Sequence, residues 1–230
     1  MTRYGLTRWI VSVVVFVFLT VGSRQVRAEG EETVVDDAAH TVVELLRDPD
    51  FANLEGLLDR AHGVVIVPQL IKAGFIIGGE AGRGVILAHD LDTGTWSNPA
   101  FLDVGAASIG LQIGASETQV VLAIMTDAGL EAMLAENVEV GAEASVAAGP
   151  VGAEVKAATT STEFNQDIYA YGTSEGLFLG VAIEGTLLIP DQDANMAYYG
   201  QAATTREIIQ AGKVWNGHAD QLREILRGET

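Results

Sequence analysis

No cysteine occurs among the 230 residues of the sequence. The chain therefore has no disulfide framework, no thiolate metal site, no cysteine nucleophile and no N-terminal lipoprotein cysteine. Histidine is also scarce, and the four histidines include no pair at the spacing of metal ligands. The sequence accordingly predicts neither a metal site nor a cofactor.

Basic residues are few as well, with 13 lysines and arginines against 31 aspartates and glutamates. The formal net charge is −18 and the sequence pI is near 4.4. Nucleic acids and strongly anionic membranes attract basic surfaces. The negative net charge of this chain therefore disfavours binding to either of them. A hydrophobic share of 48% with 19% charged residues is typical of a globular protein. We therefore predict one folded domain that does not bind nucleic acid.

The first 28 residues have the pattern of an export signal. Arg3 and Arg8 precede an apolar run from Trp9 to Val21, and Val26 to Ala28 offers small residues at a cleavage point. The run has 13 residues, fewer than the roughly 20 needed to cross a bilayer as a helix. We therefore predict a signal peptide over residues 1–28 and export to the periplasm or cell envelope, with an uncleaved membrane anchor as the alternative.

The segment from Thr33 to Asp48 shows apolar residues at helical spacing, with Thr33 and Asp36 placed like a capping box. Its polar face is net acidic, whereas interfacial membrane helices carry lysine and arginine there, so we predict a helix docked on the protein's own sheet. Further helices are predicted over Phe51–Arg60, Asp127–Glu136 with Asp127 as N-cap, Asp193–Tyr199 with Asp193 as N-cap, Thr204–Gln210 and Ala219–Arg227.

Short apolar or alternating runs separated by glycine-rich turns predict the strands. They cover Val64–Val67, Phe75–Gly79, Val85–His89, Phe101–Ile113, Val120–Thr126, Val138–Val146, Val151–Ala157, Ile168–Tyr171 and Leu177–Ile189. Because strands outnumber connecting helices, we expect a mainly antiparallel sheet, and glycines inside its strands are typical of a curled one. Val120–Met125 is apolar on both faces, which predicts a central strand. The predicted fold class is α+β, a curled, barrel-like, mainly antiparallel sheet flanked by N-terminal and C-terminal helices.

One catalytic motif matches in its residue types but not in its predicted structural context. Gly172 to Gly176 fits the Gly-x-Ser-x-Gly pattern, in which Ser174 would be the nucleophile of a hydrolase. That pattern needs a strained turn from a strand into a helix, whereas the following Leu177 to Val181 is a β-type run. We therefore predict a hairpin loop and no catalytic residue, and a serine hydrolase stays the least favoured alternative. Gly74 to Gly84 lacks the spacing of a phosphate-binding loop and predicts a tight β-hairpin.

Short glycine-containing and aromatic motifs follow one another through the strand region. They are Lys72 to Phe75 with Gly78-Gly79, Gly84 to Leu87, Trp96 to Ala100, Gly110 to Gly114, Ser145 to Gly152, Ile168 to Tyr171, and Gly176 to Phe178 with Gly180 and Glu184-Gly185. In this order, from about Leu54 to Ile209, they resemble the SYLF domain family. With this resemblance the chain divides into the signal peptide 1–28, a SYLF-like domain over 29–212 and a C-terminal helical tail over 213–230.

The resemblance implies a lipid-binding domain without enzymatic activity. Eukaryotic SYLF proteins are linked to phosphoinositide membranes and to actin, and bacterial members are exported. This chain departs from the eukaryotic pattern because its predicted N-terminal helix is acidic rather than basic. We therefore expect an exported domain that binds a phospholipid or another amphiphile at the membrane surface of the cell envelope. The alternative is an envelope structural or scaffold protein that binds protein partners through its acidic face and its Gly-Ala-rich strands.

Basic and aromatic residues around the first strands are the predicted lipid contacts. They are Arg60, Lys72, Phe75, Arg83, Trp96 and Phe101. The three basic side chains are expected to converge at one rim of the sheet and bind a phosphate, and the aromatic rings supply apolar or interfacial contact. The alternative is that Lys72 and Arg83 balance acidic neighbours such as Glu80 and that the rings belong to the core.

Overall fold

The computed structural model describes residues 30–74, 77–109, 114–149, 166–174, 177–178 and 185–229. The predicted signal peptide 1–28, the predicted contact Phe75 and the predicted strand 151–157 lie outside them. The helices are α1 (Glu31–Arg47), α2 (Leu54–Leu58), α3 (Asp127–Met133), α4 (Gln192–Tyr199), α5 (Thr205–Ile209) and α6 (Asp220–Leu226), with 3-10 turns at Pro49–Phe51 and Gly217–Ala219. Among the described residues, no helix combines the length and the apolar character that a bilayer span requires.

The strands form one curled half-barrel sheet. They are β1 (Gly63–Gly74), β2 (Ile77–Asp90), β3 (Thr95–Trp96), β4 (Ala100–Ile109), β5 (Gly114–Ile124), β6 (Val138–Glu139), β7 (Val146–Ala148), β8 (Ile168–Ser174), β9 (Leu177–Phe178) and β10 (Leu187–Pro190). The main order is β6-β10-β4-β2-β1-β5-β8-β7, and all described pairs are antiparallel except β7 with β8. The predicted fold class is therefore confirmed, including helices at both ends of the domain.

The two faces of the sheet are covered by different elements. The helical face packs against α1, α4 and α6, and its buried strand residues include Val64, Ile66, Val85, Leu87, Phe101 and Val121. The opposite face packs against α3, α5 and β6, and its buried strand residues include Val65, Val67, Ile86, Leu102, Val120 and Leu122. β5 contributes to both clusters, as the apolar run Val120–Met125 predicted for a central strand.

Helix α1 forms where the apolar spacing predicted it. Its buried residues recur every three or four positions, which places one continuous apolar stripe on the sheet. The apolar ones are Val34, Val35, Ala38, Ala39, Val42 and Leu45, and Thr41 is buried with them. The predicted capping box is wrong, because the helix begins after Gly30 and Thr33 and Asp36 lie inside it. Asp36 instead points its Oδ1 to within 2.9 Å of His218 Nε2, which joins α1 to the C-terminal segment.

Two other predicted N-caps are displaced by one or two residues. The Thr126 side chain accepts the hydrogen bond from Gly129 N and caps α3, whereas Asp127 Oδ1 lies 2.7 Å from His62 Nδ1. Asp191 rather than Asp193 caps α4, because its Oδ1 accepts from Ala194 N. An aspartate and a threonine are both good caps, so the residue types alone did not distinguish these positions.

The predicted strand Val138–Val146 is wrong. Only Val138–Glu139 and Val146–Ala148 are strands, and a turn separates them. Gly141 has a φ of 91°, and its amide donates to Ala144 O. The alternating pattern therefore describes two short strands and a reversal, since a positive φ at a glycine ends the extended run.

From Ile77 onward, the predicted strand Phe75–Gly79 is continuous with the predicted strand Val85–His89, and together they form β2 from Ile77 to Asp90. β1 carries a bulge between Ile66 and Gln69, which brings its backbone towards β2. A Cβ at Gly82 or Gly84 would overlap a backbone carbonyl oxygen of that bulge. The glycines in this segment thus permit a close approach of two strands rather than a turn.

Candidate functional site

The described parts of four strands stop at the same end of the sheet. β1 ends at Gly74 and β4 at Ile109, while β2 begins at Ile77 and β5 at Gly114. We call residues 71–74, 77–81, 105–109 and 114–117, together with Leu187 of β10, the sheet end. The buried residues that pack under α1, α4 and α6 come from the more distant parts of these strands. The sheet end therefore extends beyond the helical cover.

On the helical face, the sheet end carries an exposed apolar row. Leu187, Gly105, Ala81 and Ile71 are successive cross-strand partners in β10, β4, β2 and β1. Leu187 and Ile71 are 42% and 41% exposed, and Ile189, two residues along β10, is 36% exposed. Three strand spacings separate Leu187 from Ile71, about 14 Å, and the floor between them is formed by Gly105 and Ala81. This apolar row is a shallow trough with aliphatic walls.

The clustering of these side chains sets the apolar row apart from the rest of the described surface. Six large hydrophobic residues are exposed among the described residues, and three of them are Ile71, Leu187 and Ile189. Single exposed apolar residues are normal in soluble proteins, whereas a contiguous apolar patch marks a contact surface. The apolar row is therefore the surface at which we place binding.

On the opposite face, the sheet end carries an ion pair. Lys72 lies directly across from Glu80, and Lys72 Nζ is 3.0 Å from Glu80 Oε1. Leu70 and Thr118 occupy the next row of this face and are each 1% exposed. Lys72 is thus partnered by the acidic neighbour that the sequence offered as the alternative to a lipid contact.

Two of the predicted lipid contacts lie at the other end of the sheet. Arg60 precedes β1, and about 30 Å of extended strand separates the start of β1 from Lys72. The Arg60 guanidinium is exposed, and its Nε donates to Gly56 O at 3.0 Å. Trp96 pairs with His89 close to the end of β2. The structure therefore does not bring Arg60 or Trp96 together with Lys72.

Arg83 lies on the helical face, on the other side of the sheet from Lys72. It is 7% exposed, and its Nη2 is 3.5 Å from Oδ2 of Asp191, the N-cap of α4. Its cross-strand partner in β4 is Asp103. Arg83 and Lys72 thus do not converge at one rim, and the guanidinium is engaged in fixing α4 to the sheet.

Two of the three aromatic residues predicted to contact lipid, Trp96 and Phe101, are described by the structure, and both are buried. Trp96 is 4% exposed, stacks on His89 with ring centroids 4.3 Å apart, and donates from Nε1 to Leu226 O at 3.2 Å. Phe101 is 1% exposed and packs edge-on against Tyr198 at 5.1 Å. These two rings belong to the core under α4 and α6, as the alternative interpretation expected. Phe75 lies outside the described residues, and a lipid-contact role of the six residues stays a prediction.

Sequence reasoning did not single out Ile71, Leu187 and Ile189. Ile71 lies between the predicted strands Val64–Val67 and Phe75–Gly79, whereas Leu187 and Ile189 lie at the end of the predicted strand Leu177–Ile189. What makes them one surface is the register of β10, β4, β2 and β1, which joins segments more than one hundred residues apart in sequence. The register between these four strands cannot be read directly from a single sequence.

The described part of the Gly-x-Ser-x-Gly motif, Gly172 to Ser174, ends a strand that pairs antiparallel with the next strand, as the predicted hairpin requires. Ser174 is the last residue of β8, and its cross-strand partner is Leu177 of β9. β9 is a strand where a nucleophile elbow requires a helix. Within the part of the chain that the structure describes, no three acidic or histidine side chains are grouped to hold a metal ion.

Comparison with known proteins identifies the domain. The family model described as "Ysc84: Las17-binding protein actin regulator" matches residues 105–229. The chain belongs to the Ysc84 family. The SYLF resemblance is thereby confirmed. The description of the Ysc84 family names protein binding and actin regulation rather than an enzymatic activity.

Yeast and human relatives are similar to most of the chain. Protein YSC84 of Saccharomyces cerevisiae is 34% identical over 172 residues, which are 74% of this chain and 36% of that protein. LAS seventeen-binding protein 3 of the same species is 35% identical over 155 residues, 66% of this chain and 33% of that protein. SH3 domain-containing YSC84-like protein 1 of Homo sapiens is 29% identical over 171 residues, 74% of this chain and 49% of that protein. The chain thus spans a third to a half of these curated relatives.

Proposed function

We propose that this Ysc84-family domain is an exported, non-enzymatic phospholipid-binding domain that acts at membrane surfaces of the cell envelope through its sheet end. The observation that carries the proposal is the exposed apolar row formed by Leu187, Gly105, Ala81 and Ile71. A membrane interface accepts such a row because it offers apolar contact over a broad surface. Export rests on the signal-peptide pattern of residues 1–28.

The charge of the chain constrains how such binding works. A formal net charge of −18 opposes attraction to anionic head groups. On the sheet end, the row that contains Ile71 continues to Glu117, and Asp103 lies in the adjacent row on the exposed surface. Binding therefore depends on apolar contact and on local polar recognition, and it should change little with salt concentration.

The description of the family and the name of one yeast relative favour a second candidate function. "Las17-binding protein actin regulator" describes the family, and LAS seventeen-binding protein 3 is one relative. Under this alternative the sheet end is the docking surface for a protein partner in the envelope, with no lipid involved. The apolar row would then receive aliphatic side chains of the partner. The two candidates use one surface and differ in whether purified lipid suffices.

Vesicle flotation with the purified protein tests the lipid proposal. We expect the protein to float with vesicles of phosphatidylcholine and phosphatidylethanolamine at both low and high salt. The double variant Ile71→Asp with Leu187→Asp should reduce the bound fraction by at least about tenfold, because it places two charges where apolar contact is made. Both positions are exposed, so the fold should tolerate the changes.

Leu91 provides a matched control. It is an aliphatic residue of similar exposure, 45%, in the turn between β2 and β3, at the other end of the sheet. Leu91→Asp should leave flotation unchanged. Equal flotation of the double variant and the unaltered protein would refute the sheet end as the lipid surface. A protein that does not float at all would refute lipid binding and favour the protein-partner alternative.

A further inference from the structure

The floor of the apolar row lies lower than its walls. Leu187 and Ile71 stand at the two ends of the row, and Gly105 and Ala81 lie between them in β4 and β2. Gly79 is two residues from Ala81 and therefore shares its face, one row nearer to the start of β2. Gly79, Ala81 and Gly105 are partly exposed. Small residues at the surface thus lie between two strands that carry large aliphatic ones.

The space directly above the two floor glycines holds no described side chain. Among the described atoms, the nearest to a Cβ placed on Gly105 is the carbonyl oxygen of Glu80, at 3.8 Å. For a Cβ placed on Gly79 it is the carbonyl oxygen of Ala106, at 3.6 Å. Both distances are ordinary van der Waals contacts with the backbone of the neighbouring strand. The trough therefore has room above its floor for at least a methyl group at each glycine.

The trough offers a ligand no hydrogen bond from its floor or walls. β4 is paired on both sides, with β10 and β2, and β2 is paired with β4 and β1. The backbone N–H and C=O groups of Gly105 and Ala81 are therefore used within these ladders. Leu187 and Ile71 add aliphatic side chains without polar atoms. A sugar, a head group or an extended peptide would lose hydrogen bonds to water here without replacement, so the trough favours a hydrocarbon.

The width of the trough suits alkyl chains that run along the strands. Leu187 and Ile71 are three strand spacings apart, about 14 Å, and the two floor strands lie between them. Carbon atoms in van der Waals contact are about 3.5 to 4.0 Å apart. One methylene chain can therefore contact the floor and one wall, and two chains side by side can contact both walls. A diacyl phospholipid supplies two such chains.

Charged residues border the trough and disfavour an anionic ligand. The row farther from the sheet end contains Asp103 and the buried Arg83, which are cross-strand partners. Glu117 lies next to Ile71 in β5 and continues the apolar row. Asp103 and Glu117 are both exposed. Their carboxylates repel an anionic group at the edge of the trough, so a chain with a neutral or zwitterionic head group is preferred to a fatty acid anion.

We propose that the sheet end takes up alkyl chains of a phospholipid in the trough between Leu187 and Ile71, above Gly105, Ala81 and Gly79. The inference deepens the proposed function and rests on it for the phospholipid as the source of the chains. Flat adsorption on a bilayer requires only exposed apolar surface, whereas uptake of a chain requires a low floor. The two modes of binding therefore respond in opposite ways to an apolar side chain added to the floor.

Gly105→Leu is the decisive variant, because it increases the apolar surface and fills the trough. The position accepts a Cβ without overlap. The bound fraction in vesicle flotation should fall at least about tenfold, since the loss of two methylene contacts already accounts for that factor. Gly56→Leu is the matched control, because no atom lies within 4 Å of a Cβ placed there in α2, and its flotation should be unchanged. Circular dichroism and thermal unfolding check the fold of both variants.

Alkyl glucosides below their critical micelle concentrations separate chain binding from membrane binding. Titration of the unaltered protein with octyl glucoside should shift the backbone amide resonances of Ile71, Ala81, Gly105 and Leu187 in NMR spectra, whereas methyl glucoside should not. Heptyl glucoside should bind about fourfold more weakly than octyl glucoside, because one methylene group fewer is buried. Nonanoate carries the same eight-carbon chain on a carboxylate and should bind more weakly than octyl glucoside, because Asp103 and Glu117 repel it.

The outcomes separate the inference from the proposed function. Equal flotation of Gly105→Leu and the unaltered protein would overturn chain uptake while membrane binding stands. Equal affinity for heptyl and octyl glucoside, or shifts only outside the trough, would also overturn it. Octyl glucoside binding in the trough without flotation would support chain uptake from a free amphiphile and refute the membrane function. Tighter binding of nonanoate would overturn the phospholipid as the source. If Gly105→Leu does not fold, the chain-length series with the unaltered protein decides.

Discussion

Gly149→Ala is expected to lower the free energy of unfolding by about 3 kcal/mol. A Cβ at this position would overlap the ring of Tyr171. That ring is fully buried, it packs edge-on against Phe51 at 5.9 Å, and its hydroxyl accepts from Asn53 Nδ2 at 2.8 Å. Because the ring is fixed on these sides, either β8 or the chain at Gly149 has to move.

Urea denaturation of the variant measures this cost. Gly56→Ala is the matched control, because no atom lies within 4 Å of a Cβ placed there and the residue is inside α2. A glycine in a helix costs roughly 0.5 to 1 kcal/mol relative to alanine, so this control should be neutral or slightly stabilising. A stability of Gly149→Ala equal to that of the unaltered protein would show that Tyr171 is not packed as described.

Asp191→Ala should cost about 3 kcal/mol of unfolding free energy for two reasons. Asp191 Oδ2 is the acceptor for the Arg83 guanidinium, whose side chain is 6% exposed, and loss of one partner leaves a buried charge poorly compensated. Asp191 Oδ1 also accepts from Ala194 N and caps α4, a contribution of about 1 kcal/mol. Removal of one side chain therefore affects both the ion pair and the helix start.

Arg83→Met and Asp193→Ala serve as comparisons for that variant. Replacement of the buried cation by an apolar side chain of similar length should cost less, about 1 kcal/mol, because the Asp191 carboxylate that remains is more exposed, at 16%, and still accepts from Ala194 N. Asp193 is exposed in the first turn of α4 and does not cap it, so its removal should change stability by less than about 0.5 kcal/mol. If Asp191→Ala were no more destabilising than Asp193→Ala, the Arg83 pair would not fix α4.

These expectations also define the role of Arg83. The sequence grouped it with Lys72 as a phosphate contact. The structure places the two side chains on different faces, with Arg83 engaged by Asp191. Arg83→Met is therefore the better test of a lipid role for this residue, because it removes the charge without leaving a cavity. We expect vesicle binding of Arg83→Met to equal that of the unaltered protein.

The fold was predictable where one segment carries its own periodicity. The 3.6-residue spacing of apolar residues in α1 and the two-sided apolar character of Val120–Met125 each identify an element and its burial. The predicted ends of strands and helices were wrong where one backbone dihedral angle or one hydrogen bond determines the end of the element. The positive φ of Gly141 divides an alternating run, and Thr126 rather than Asp127 supplies the cap of α3.

The candidate site was less predictable than the fold because it depends on register. The Lys72–Glu80 pair follows from the hairpin of β1 and β2, so a correct placement of the reversal between Gly74 and Ile77 would have found it. The partner of Arg83 is 108 residues further along the chain, beyond any local pattern. The apolar row needs four strands in register, including β10, which adds to the edge of β4.

Hydrogen–deuterium exchange of the protein with and without phosphatidylethanolamine-containing vesicles tests the central claim most directly, because it locates the lipid surface on the chain. We expect slower exchange, on adding vesicles, in peptides that cover residues 71–74, 77–81, 105–109 and 187–190, and unchanged exchange in the turn at Leu91. Protection confined to α1 or to α4 and α6, with none at the sheet end, would contradict it.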